Sequence, residues 1–191
     1  ERFRDKIRFA PEHLIDYSAF RERKPLGERS TRIAYVGRHV EEKGILQFVQ
    51  AIPEILSARG DIECIIAGDG PLRERLEQSL REANVSDRVR FTGWIPHDEL
   101  PEFFNTCRLV VLPSFTEGLP NVMLEAMACG TPVLATPVGA VPDFIRDGES
   151  GFIAPDNTPA CLTYHVLRAL AHPDLEAIAR EARDHVQSEM N

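Results

Sequence analysis

Paired cysteines are missing from this sequence. Its four cysteines, Cys64, Cys107, Cys129 and Cys161, are scattered, with no C-x-x-C and no histidine partner at metal-ligand spacing. That excludes a disulfide framework or zinc knuckle and makes reduced thiols in a cytoplasmic setting the expectation. Basic charge is also short: 22 Lys and Arg stand against 30 Asp and Glu, a net charge of −8, which argues against nucleic acid as a partner. Local cations could still meet a phosphate. No apolar run is long enough for a membrane-spanning helix, and no signal peptide opens the chain. A dinucleotide fingerprint is lacking too. Gly68-Asp69-Gly70-Pro71 has no third glycine and follows the second expected strand, so it reads as a tight turn, and a nicotinamide dehydrogenase is disfavoured. The six histidines show neither zinc pairing nor Ser-His-Asp logic, and no metal site is expected. His39 reads as a neutral, exposed residue, and the lone tryptophan, Trp94, as a packing residue more readily than as a stacking platform.

What is present is a repeating alternation. Continuous apolar runs, at 31–36, 62–67, 89–92, 109–112, 132–136 and 151–153, read as strands buried on both faces. Between them lie amphipathic stretches. The stretch after Gly44 carries Ile45, Leu46, Phe48, Val49, Ile52, Ile55 and Leu56 at helical spacing, with Pro53 expected to kink it. Further helices are expected at 72–83, 98–105, 159–171 and 173–189, and 137–142 reads as a loop. The fold class is therefore α/β, a doubly wound parallel sheet with helices on both faces. Residues 1–30 are polar and charged and read as a linker, leaving 31–191 as one domain. The chain opens without Met and closes inside a helical pattern, as expected of a domain taken from something longer.

The chain is organised around Ser114 to Thr131, SFTEGLPNVMLEAMACGT. A strand ends, a loop with Glu117 and Gly118 follows, and a helix begins, with Pro120 suited to its first position and Gly130 to the position past its end. The start of that helix presents unpaired N–H groups and a positive dipole end to anionic groups. Glu125 interrupts an otherwise apolar helix, and a buried carboxylate is costly unless it is paired or hydrogen-bonded. It either pairs with an arginine or backbone group inside the protein or accepts hydrogen bonds from ligand hydroxyls. Upstream, Gly37-Arg38 and Lys43-Gly44 place two cations in one strand-to-helix loop. They are either solvated loop charges or a phosphate contact.

The run S-x-x-E-G-x-P-x-x-x-L-E-A-M-A-C-G-T-P-V, together with G-R-x-x-x-x-K-G from Gly37, resembles the signature of retaining glycosyltransferases of family four. These have the GT-B architecture of two Rossmann-like domains. The resemblance begins near Phe9. There Phe9-Ala10-Pro11-Glu12-His13-Leu14-Ile15-Asp16, followed by Phe20, is similar to the family's passage into its second domain, with Glu12-His13-Leu14 departing from the family's Asn-Gly-Val.

The resemblance implies a donor-binding C-terminal domain whose ligand is a nucleotide diphosphate sugar, with no cofactor and no metal. It implies that Glu125 holds the ribose, that Glu117 contacts the transferred sugar, and that Arg38 and Lys43 clamp the diphosphate. It further implies that backbone at Gly118, Leu119, Asn121 and Val122 meets the sugar and diphosphate, that Gly37 and Gly68 border the pocket, and that the Ile95 main chain reads the base. The acceptor, and any association with a membrane, would belong to an N-terminal domain absent from this chain, without which the domain is expected to be inactive. The alternative is a nucleotide-sugar-binding module that performs no transfer. A nucleotide-sugar epimerase is disfavoured by the E-G-x-P-x-x-x-L-E-A pattern.

Overall fold

The computed structural model describes residues 15–190. The reading of Phe9 to Leu14 lies outside the described residues, while Ile15, Asp16 and Phe20 lie within them.

The six apolar runs form β1 (Arg32–Val36), β2 (Glu63–Ala67), β3 (Val89–Gly93), β4 (Leu109–Leu112), β5 (Val133–Ala135) and β6 (Phe152–Ile153). They make one parallel sheet in the order β3-β2-β1-β4-β5-β6. The connecting helices are α1 (Ile45–Ala58), α2 (Arg73–Glu82), α3 (Leu100–Thr106), α4 (Asn121–Ala128), α5 (Val141–Phe144), α6 (Pro159–Leu170) and α7 (Leu175–Glu189). This is the doubly wound α/β fold that the alternation implied.

Successive strand residues point to opposite faces, and that period sorts the interior into two cores. Ile33, Tyr35, Cys64, Ile66, Leu109, Val111 and Leu134 join Phe48 and Ile52 of α1, Leu76 of α2 and Val166 of α6 on one side. Ala34, Val110, Leu112, Val133 and Ala135 meet Phe104 of α3, Met123 and Met127 of α4 and Val186 of α7 on the other. Each fully buried large aliphatic side chain contributes roughly 1.5–3 kcal/mol relative to exposure. The two cores therefore hold the sheet as a rigid platform for the loops at its edge. Burial also pushes the Cys107 and Cys129 thiols up to about 12, so they behave as small hydrophobes rather than nucleophiles.

Two local expectations are corrected, at Pro120 and at 137–142, while helix α1 continues through Pro53. The missing N–H removes one hydrogen bond, while buried Phe48, Val49, Ile52, Ile55 and Leu56 on either side hold the helix against the sheet. Pro120 is not the first helical residue but the N-cap, extended at φ −73° and ψ 117°. The first bond of α4 runs from the Met123 N–H to the Pro120 carbonyl, 3.0 Å. The stretch read as a loop at 137–142 ends in the single turn α5, which Gly139 and Pro142 disguise in the sequence. Gly130, at φ +65°, closes α4 as its position required.

The segment before β1 is fastened by a residue that sequence reasoning passed over. The buried Arg29 guanidinium donates to the carbonyls of Lys24 (2.8 Å), Cys129 (3.0 Å), Cys107 (3.2 Å) and Phe104 (3.3 Å), and to Thr131 Oγ1 (2.8 Å). Two of these carbonyls end α3 and α4, where a cation also meets the negative end of the helix dipole.

Candidate functional site

In an open parallel sheet the ligand crevice lies at the carboxyl ends of the strands where the winding direction reverses. Here that point is between β1 and β4, since β2 lies on one side of the pair and β5 on the other. The Gly37–Gly44 loop leaves β1 there, and the loop carrying Glu117 leaves β4.

The two loops are pinned to each other. Gly44 has φ +64°, and a Cβ there would stand 1.8 Å from the Pro113 carbonyl oxygen, so only glycine permits the approach. The Phe115 N–H donates to the Glu42 carbonyl at 2.9 Å. Lys43 ends the short 3-10 turn Glu41–Lys43, and its Nζ lies 2.7 Å from both Glu117 oxygens. Ser114 Oγ donates to Glu117 Oε1 at 2.7 Å. Glu117 is only 11% exposed and Lys43 26%, so Lys43 is not a solvated loop charge. The Tyr35 hydroxyl donates to the Arg38 carbonyl at 2.7 Å and steadies the same loop. Burial, reinforced by the Glu117 charge, pushes that phenol well above its ordinary value, which keeps it a donor. Arg38 is exposed and makes no salt bridge among the described residues.

Gly68 closes the other wall. It has φ +115°, and a Cβ there would fall 1.9 Å from the Gly37 carbonyl oxygen. Its N–H donates to the Gly93 carbonyl at 2.7 Å, bringing the ends of β2 and β3 beside the β1 loop.

Between these walls lies a cavity of ≈ 400 Å³. Gly37, Arg38, Lys43, Gly68, Ile95, Glu117, Asn121, Val122 and Glu125 line it. Gly118 and Leu119 do not. Gly118 is exposed, with its carbonyl accepting from the Ala140 N–H at 2.8 Å, and Leu119 is half-buried against the α4 core.

Glu125 is 12% exposed on α4, and its partner is neither an arginine nor a backbone group: Oε1 lies 2.9 Å from His97 Nε2. His97, which the sequence did not single out, stands in the loop after β3 and lines the cavity. No spacing rule links residues 97 and 125, which only the sheet order brings together. Ser114 was equally unmarked, although it opens the central stretch.

Two aromatic expectations are overturned. Trp94 is 73% exposed and lines the cavity, so it is not a packing residue. Its strand ends one residue earlier, and the sheet offers its ring nothing to pack beneath. His39 is fully buried rather than exposed, between the rings of Tyr35 and Phe91. Burial, helped by the Arg73 charge, lowers its pKa and keeps the imidazole neutral. The loop folds inward because the His39 N–H donates to the Asp69 carbonyl and the His39 carbonyl accepts from the Leu72 N–H, at 2.8 and 3.1 Å.

Among the described residues no three His, Cys, Asp or Glu side chains are grouped to hold a metal ion. No described helix is long and apolar enough to cross a membrane. The arrangement offers two cations, two shielded carboxylates and a helix start along one crevice. It can neutralise a compact anion and accept hydrogen bonds from hydroxyls.

Comparison with known proteins agrees with that geometry. The alpha-D-kanosaminyltransferase of Streptomyces kanamyceticus is 37% identical over 163 residues, 85% of this chain and 42% of that protein. The chain spans less than half the length of the curated relatives it matches. Among solved structures, the C-terminal domain of a glycosyl transferase group 1 family protein (LpcC) from Francisella tularensis superposes with a TM-score of 0.81. That pair is 24% identical, over 92% of this chain and 97% of that one. Anabaena Alr3699/HepE in complex with UDP-glucose superposes at 0.82, with 20% identity over 93% of this chain and 52% of that one; at these identities the likeness concerns the Rossmann-like fold. The family described as glycosyl transferases group 1 matches residues 16–185, nearly the whole chain, and this chain belongs to it.

Proposed function

We propose that this chain is the donor-binding half of a retaining GT-B glycosyltransferase. The full enzyme moves a hexose-type sugar from a nucleoside diphosphate sugar to an acceptor held against a second domain. The observation that carries the reading is the convergence of Arg38, Lys43, Glu117 and Glu125 on one cavity at the β1/β4 switch point.

Each group then has a task set by its chemistry. Arg38 offers a planar fork and Lys43 a point charge to the diphosphate oxygens. The start of α4 adds backbone N–H groups and its dipole. Glu125, shielded but not fully buried, accepts from the ribose hydroxyls. The Ile95 main chain and Gly68 border the base, and exposed Trp94 stands beside them. Glu117 meets the transferred sugar from a carboxylate already fixed by Ser114 and Lys43. As the glycosidic bond breaks, negative charge grows on the leaving diphosphate. Cations fixed beforehand lower that barrier without reorganising. Arg38 and Lys43 supply this charge, so the transfer requires no divalent metal. Attack takes place on the leaving-group face without a protein nucleophile. Lys43 is shared: in the structure it neutralises Glu117, and a bound diphosphate draws on the same ammonium.

HepE is described in complex with UDP-glucose, and the cations and carboxylates that line this cavity suit a ligand of that class. Calorimetric titration with UDP, GDP and ADP tests the reading, beside Glu125→Ala and the double variant Arg38→Ala/Lys43→Ala. Binding of one diphosphate by the wild-type protein, lost in both variants, supports it. A folded, full-length protein that binds none of the three at millimolar concentration rejects it.

A further inference from the structure

Beyond the groups that the donor reading uses, the cavity contains a titratable side chain without an assigned task, His97. Its Nε2 lies 2.9 Å from Glu125 Oε1. The two partners differ sharply in depth, His97 being 70% exposed and Glu125 12%. The imidazole therefore approaches the carboxylate from the solvent side of the cavity rather than from the core.

The ring is not loose. It packs against Phe20 with centroids 5.1 Å apart at 53°. Phe20 is itself buried at 2% and backed by Phe104 of α3 at 6.5 Å. Three stretches distant in sequence thus meet around His97: the segment before β1 through Phe20, the loop after β3, and α4 through Glu125.

A glutamate has three rotatable bonds, and a carboxylate that must meet a furanose diol benefits from having them fixed in advance. A histidine N–H donated to Oε1 does this. It restrains the carboxylate through Oε1 and leaves Oε2 to accept from a hydroxyl. We propose that His97 is a positioning residue for Glu125, fixing that carboxylate for recognition of the ribose hydroxyls of a nucleoside diphosphate. This rests on the donor-site reading above, in which Glu125 meets the ribose.

The proposal separates from a merely structural role because it concerns one hydroxyl contact and not affinity in general. The test is titration of the full-length protein with whichever of UDP, GDP or ADP it binds and with the 2′-deoxy form of the same nucleotide. Wild-type, His97→Ala and His97→Gln proteins are compared. His97 is exposed and lies outside both cores, so the variants should melt with wild-type protein, and the melting temperature checks this.

The wild-type preference for the ribose form should be about tenfold, one hydrogen bond to a charged group. His97→Ala should reduce that preference to about twofold, leaving affinity for the deoxy form nearly unchanged. Glutamine at 97 can still donate an amide N–H and should restore most of the preference. If His97→Ala keeps the wild-type preference, or weakens both forms equally, the inference is overturned while the donor reading stands. If the wild-type protein binds none of the three diphosphates, both fall.

Discussion

Glu117 and Glu125 sit at nearly the same depth, 11% and 12% exposed, yet they are braced in opposite ways. Glu117 lies in a loop, but Lys43 reaches both of its oxygens and Ser114 donates to one of them. The loop that carries Lys43 is locked to the Glu117 loop by the Gly44–Pro113 approach. Glu125 belongs to a regular helix, yet its side-chain bond comes from a solvent-facing histidine. The loop residue is the more rigidly held of the two. Secondary structure is a poor guide to which side chain is preorganised; the number of fixed partners is the better one.

The contrast can be broken from the clamp end first. On the donor reading, replacing Arg38 and Lys43 together by alanine should weaken nucleoside diphosphate binding by roughly a thousandfold, because two proposed charge-assisted hydrogen bonds to the phosphates disappear at once. Affinity for the bare nucleoside should barely change. Calorimetry with both ligands reads the difference, and equal losses for both would mean that the cations do not meet the phosphates.

The Glu125 end depends on the segment before β1, which Arg29 ties to the ends of α3 and α4. Arg29→Met should lower stability by about 2–4 kcal/mol in urea unfolding, because several buried carbonyls lose their donor at once. A loss below about 0.5 kcal/mol would show that this segment is not fastened as described.

A sharper comparison swaps each carboxylate for its amide. On the donor reading, Glu125→Gln should weaken the diphosphate about tenfold through the proposed ribose contact. Glu117→Gln should leave diphosphate affinity unchanged or tighten it about threefold, since Lys43 loses its competing anion. On the donor reading it should nevertheless depress transfer by the full-length protein. Similar binding losses in both variants would erase the distinction drawn here.

The smallest effect concerns the loop that carries the cations. His39 is buried neutral, with its pKa lowered, so the unfolded chain takes up a proton first as pH falls. Stability should therefore fall as pH drops through the ordinary histidine range, near 6.5, toward the lower folded value. His39→Phe should flatten that slope by about 0.5–1 kcal/mol between pH 7.5 and 5.5, as read by urea unfolding at each pH. A residual slope is expected from His165, which burial also shifts downward. An unchanged slope would place the His39 ring in water.

Much of this was legible without coordinates. The continuous apolar runs determined six strands buried on both faces. The loops rich in glycine between strand and helix marked the carboxyl ends as the ligand edge. The family signature singled out Glu117, Glu125, Arg38 and Lys43, all of which line one cavity. These are local signals: a strand's apolar run, a helix stop and a motif's spacing are written in neighbouring residues. What the sequence could not supply were the meetings between distant residues, such as His97 with Glu125, Arg29 with the ends of two helices, and Lys43 with Glu117. The burial of His39 and the exposure of Trp94 escaped it for the same reason. Each depends on the order in which parallel strands are laid side by side and on how closely the loops above them approach. Those quantities are settled by packing two cores against one sheet, and only the tertiary structure decides them.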